Sequence, residues 1–214
     1  MFYEKIITIT GVVMVLAFFG RNKKTPEENF WIWFEKHQDM LFNFENDQDH
    51  IFNQLSKQMN KVDPELTFEF GPIQNGKREF VISAGGIKAS FHKVESLYKA
   101  APQLSNWTFI KFRPRREPMT LRIGNKKVDP DDVRCQLFKD GDKVGIMLFF
   151  KDYSEDEEDI YGQIAYLMLD QALGEYDVET KVGFIEFTSN ESKYYNDAFS
   201  LNALAKCFDE FTKK

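Results

Sequence analysis

From Thr25 to about Asn43 the apolar residues recur at helical spacing, with Phe30, Trp31, Phe34 and Leu41 close to one face. The run opens on "TPEE", where Thr25 can cap, Pro26 suits the first helical position and Glu28 completes a capping box. A second helix is predicted from about Asp47 to Lys61, with Ile51, Leu55, Gln58/Met59 and Val62 on one side and Pro64 ending it. From Leu66 the period drops to two. "LTFEF" alternates, "QNGK" signals a hairpin turn, and "REFVISA" is the returning strand. "FHKVESLYKAA" then returns to helical spacing through Phe91, Val94, Leu97 and Ala101, and "WTFIKF" is a strand again.

The second half repeats that order. "VRCQLF", the turn "KDGDK" and "VGIMLFF" make a hairpin; "SEDEEDIYGQIAYLMLDQAL" makes a helix stopped by Gly174; "KVGFIEF" makes a strand. The Asn75-Gly76 and Asp140-Gly141 turns hold equivalent places. The predicted fold class is α+β: a mostly antiparallel sheet built from two ββαβ units, 66–113 and 133–188, with "MTLRI" bridging them. An N-terminal helical pair and a C-terminal helix, Asp197 to Phe211, complete a single domain over residues 25–214.

Residues 1–24 stand apart as an apolar and basic segment. Ile6 to Gly20 carries no charge for 15 residues and is followed by "RNKK". As a helix it spans roughly 22 Å, short of the roughly 30 Å of a bilayer core. Three readings stand: a buried or appended N-terminal piece (with Met14 as the alternative start), a tether to the inner membrane through residues 1–20, or a secretion signal. With the tether, the basic flank keeps the body in the cytoplasm, which is the expected location.

Charge narrows the partners. The chain has net charge −6, and the first 24 residues contribute +3 to it, so the remainder is more acidic still. Such a body does not suit nucleic acid, and none is expected as a partner. Cys135 and Cys207 lie far apart and make no metal spacing, as expected of a reducing compartment. His37, His50 and His92 form no HxH or HExxH pattern, so neither a metal nor a cofactor is predicted. No nucleophile signature singles out a catalytic residue.

One stretch runs against the overall charge. Lys111, Arg113, Arg115, Arg116, Arg122, Lys126 and Lys127 face only Glu117 within 111–127, a local +6. Strand alternation puts Lys111, Arg113 and Arg115 on one side, where guanidinium forks match carboxylate or phosphate. Ser83, Gly85 and Gly86, in "ISAGGI", lie at a strand-to-helix turn whose free N–H groups can also hold an anion. Arg113, Arg115, Arg116, Arg122, Ser83, Gly85 and Gly86 are therefore the candidate ligand-binding residues. Two alternatives remain open. The acidic residues Asp152 and 155–159 can neutralise the arginines, with Ser154 capping that helix, or the arginines take a small anionic ligand or a protein partner. A non-catalytic binding module is expected. The alternative is a small enzyme with arginine clamps and Glu79 or Glu186 as base. The aromatic run Trp31, Trp33, Phe34, Phe42 and Phe44 covers more than one helical face and is expected mainly in the core.

The phrases "FWIWFEKHQDMLF", "FVISAGGIKASFHKVESLYKAAPQLSNWTFIKFRPR" and "LDQALGEYDVETKVGFIEF" together resemble a bacterial family of uncharacterised proteins, over roughly Glu28 to Phe187. The resemblance implies no activity, substrate or catalytic residue.

Overall fold

The capping box forms as the sequence predicts: Thr25 Oγ1 accepts from the Glu28 N–H at 3.1 Å, and Glu28 Oε2 accepts from the Thr25 N–H at 2.9 Å. It starts α1 (Pro26–Phe42), which an irregular turn links to α2 (Gln48–Met59). This computed structural model describes residues 23–213, and the expectations for residues 1–20 and Met14 fall outside them. No helix among the described residues is long and apolar enough to cross a membrane.

The chain is α+β, with the helical pair at its N-terminal end and a helix at its C-terminal end. After α2 come β1 (Thr67–Gln74), β2 (Lys77–Ser83), α3 (Phe91–Lys99) and β3 (Trp107–Lys111). β1 and β2 pair antiparallel, and β3 joins β2 in parallel. The second half gives β6 (Val133–Asp140), β7 (Lys143–Phe150), α4 (Glu158–Leu173), α5 (Glu175–Lys181) and β8 (Val182–Ser189). There β6 and β7 are antiparallel, and β8 runs parallel to β7. Both halves thus share one order of pairing. The Asn75-Gly76 hairpin turn has φ of 51° and 76°, the left-handed pair that suits a two-residue turn.

Three details differ from the sequence reading. The two halves form separate sheets, because the chain leaves β3 through Phe112 at φ 62° and then meets Pro114 and Pro118, which cannot continue a ladder. "MTLRI" does not bridge them: β4 (Leu121–Ile123) pairs with β5 (Lys126–Val128) as a two-stranded ribbon, and its apolar residues pack on the second core. The predicted C-terminal helix begins late. Phe199–Ser200 forms β9 against β6, and only Leu204–Phe211 is α-helical, as α6.

Each half has its own core. In the first, Phe30, Trp31 and Phe34 of α1 meet Phe80, Trp107 and Phe109 of the sheet in an edge-rich aromatic cluster. The Trp31 indole N–H donates to the Leu97 carbonyl at 2.7 Å, so the ring is buried without an orphaned donor. In the second, Ile146, Leu148 and Phe150 of β7 pack under Tyr161, Ile164, Met168 and Leu169 of α4, with Leu204 and Phe208 of α6. Fully burying each such side chain contributes about 2–3 kcal/mol before entropy is counted. The Trp33 side chain, half-buried, stacks on His37 instead of entering the core.

Candidate functional site

The site is built on the connector from Phe112 to Thr120, which leaves the first sheet and crosses the C-terminal end of α4. That end exposes carbonyls that no further helical turn can satisfy. The connector supplies their donors: the Arg116 N–H donates to the Gln171 carbonyl at 2.6 Å and Arg115 Nε to the Leu173 carbonyl at 2.8 Å. Gly174 lets the two backbones touch. Its φ is 81°, and an added Cβ would stand 3.2 Å from the Arg113 carbonyl.

Glu175, the next residue, is completely buried. Its Oε1 accepts from the N–H groups of Ala84 and Gly86 at 2.9 and 3.1 Å, and its Oε2 from the Arg113 N–H at 3.0 Å. The glycine turn therefore does hold an anion, but the anion is this carboxylate from the other half of the chain. Gly85 and Gly86 adopt φ of 58° and 81° to present those donors. Ser83 is turned into the loop, its hydroxyl accepting from the Gly85 N–H at 2.9 Å.

The arginines do not form a free cationic face. Arg113 donates from Nε to Glu69 and from Nη1 to Asp170 Oδ2 at 3.2 Å. Arg115 bonds Asp177 at 2.6 Å and both Asp209 oxygens at 2.9 Å. Arg116 bonds Glu79 Oε2 at 2.6 Å. Arg122 lies exposed on the β4–β5 ribbon opposite Lys127, apart from these networks. Phe112 breaks the alternation that was to align Lys111, Arg113 and Arg115, and Lys111 pairs with Glu95 instead. The acidic stretch 155–159 is not the neutralising partner of the arginines. Of its residues, Glu157 pairs with Lys126 at 2.6 Å. Ser154 contributes its backbone carbonyl to that turn and no side-chain cap. Glu186 is exposed on β8, and Glu79 is engaged by Arg116, so the two proposed bases do not share a site.

Beside the connector lies a cavity of about 450 Å³. Phe70, Pro72, Pro114, Met119 and Leu167 make its apolar wall, and Glu69, Arg113, Arg116, Glu117, Asp170 and Gln171 its polar one. β1 and α4 come from opposite halves, so the cavity exists only where the halves meet. Asp170 is 8% exposed. Burial pushes its carboxyl up to about 6; Arg113 pulls it down, and Glu175 and Glu179 push it up further. Burial works to lower the Arg113 guanidinium, yet Glu69, Asp170 and Glu175 hold it above its ordinary value. Among the described residues, no group of three or more His, Cys, Asp or Glu is arranged to hold a metal.

Glu69, Asp170 and Glu175 carry this site, and the sequence reading passed over all three. Asp170 had a visible signal: it interrupts the apolar run "AYLMLDQAL", where a charge cannot be cheaply buried. Comparison with family models, curated proteins and solved structures returned no match.

Proposed function

We propose that this protein is a non-catalytic binding module whose ligand occupies the cavity between β1, the connector and α4. The observation that carries the reading is a cavity of about 450 Å³ walled by apolar side chains from both halves, with charged groups gathered along one side. Volume and lining suit a small molecule that buries an apolar body and is oriented by a few polar contacts. Binding there would also bridge the halves.

The test is a thermal-shift screen of small metabolites on the full chain, repeated with Leu167→Trp, which fills the cavity from α4. A ligand that raises the midpoint of the natural protein and not of the variant is expected. An empty screen, or stabilisation untouched by Leu167→Trp, overturns the reading. One observation favours a second reading, a small enzyme: a carboxyl titrating near 6 in a cavity wall is poised as a general base. In that case a stabilising ligand is turned over, and Asp170→Asn abolishes turnover while binding persists.

A further inference from the structure

We propose that the cavity takes a small aliphatic amine, its ammonium group seated against Asp170 and Glu69 and its chain along Phe70, Pro72, Met119 and Leu167. The inference rests on the binding-module reading and names its ligand class.

The first argument is the balance of charge. Glu69, Glu117 and Asp170 line the cavity against Arg113 and Arg116. Arg116 is drawn to Glu79 on β2, outside the lining. Arg113 alone then answers Glu69 on β1 and Asp170 on α4, while Glu175 and Glu179 of α5 add negative potential at Asp170. Lys88 and Lys143 act on Glu179, not on the cavity. The uncompensated charge at this end is negative.

The second argument is the state of the acceptors and donors. Asp170 is nine-tenths buried, and its Oδ1 accepts no hydrogen bond among the described residues, although Oδ2 is held by Arg113. Oδ1 is not fully buried and Asp170 lines the cavity, so an ammonium group entering there can bring its three donors to it. An anion finds the opposite situation. The backbone N–H groups of Ala84, Gly86 and Arg113, the natural seat for one, are already filled by Glu175. The Arg113 and Arg116 forks are each already turned to a carboxylate. The apolar wall then favours an alkyl chain over a second charge.

The experiment compares n-butylamine, butyrate and 1-butanol as probes on the full chain, by thermal shift and calorimetric titration at constant ionic strength. Butylamine is expected to bind at pH 7.5 and to weaken about tenfold by pH 5.0, as Asp170 takes up its proton near 6. Glu69→Gln, at a side chain 41% exposed, is expected to weaken butylamine binding at least about fivefold. Butyrate is expected to show the reverse pH dependence or no binding. No binding of butylamine, tighter binding of butyrate, or butylamine binding indifferent to both pH and Glu69→Gln overturns the inference. If butyrate or butanol binds more tightly than butylamine and Leu167→Trp abolishes it, the amine class falls while the cavity reading stands. If no probe and no screened metabolite binds, both fall.

Discussion

Asp170 gives up most of its water on folding; among the described residues Arg113 donates to its Oδ2, while Oδ1 keeps some contact with solvent. Its folded value of about 6 lies above the roughly 4 of an unfolded aspartate. Above pH 6 the desolvated, ionised form costs stability. As pH falls through 6 toward 4, the folded chain takes up the proton before the unfolded one does, and that cost fades. Relative to Asp170→Asn, the natural protein should therefore gain about 1–2 kcal/mol between pH 7.5 and pH 5, measured by urea unfolding at each pH. Carboxyls held below their ordinary values, such as Asp177 beside Lys181 and Arg115, act in the opposite sense lower on the scale and cancel in the comparison. A difference that stays flat with pH would show that Asp170 titrates as an ordinary acid.

Among the elements, the junction of α4 and α5 does the most to set the geometry. Gly174 combines φ 81° with ψ 142°, a conformation close to one that side chains avoid, and lies against the connector backbone. Gly174→Ala should cost about 1–3 kcal/mol of unfolding free energy, read by urea unfolding, because the left-handed strain and the tight 3.2 Å approach to the Arg113 carbonyl act together. The elements themselves were largely legible. The capping box at Thr25, the Asn-Gly turn and the two-residue alternation of the hairpins are local signals, and each formed. What was hidden depends on distant partners. Arg113 meets Asp170 57 residues away, Arg115 meets Asp209 94 residues away, and Arg116 meets Glu79 37 residues away. Acids near in sequence were the only partners that spacing could suggest. β9 was hidden for a related reason: Phe199 lies four residues or so from other apolar positions, yet pairing with Cys135 overrides that helical spacing. The connector looks like a strand end in the sequence because no local signal marks Phe112 as turning left-handed.

At the scale of the whole molecule, two cores meet through a seam in which one buried carboxylate collects donors from the opposite half. Glu175→Gln preserves volume but turns an acceptor into a donor against an N–H group, at an expected cost of about 2 kcal/mol. All three tryptophans, Trp31, Trp33 and Trp107, belong to the first core or pack against it. Intrinsic fluorescence is thus a spectroscopic label that nature has placed in one half alone. In the natural protein, emission and heat absorption should trace the same melting curve; in Glu175→Gln the emission change should separate from part of the heat. Coincident curves in the variant would mean that the seam has other sutures, and the optical signal of one half would then speak for the entire chain.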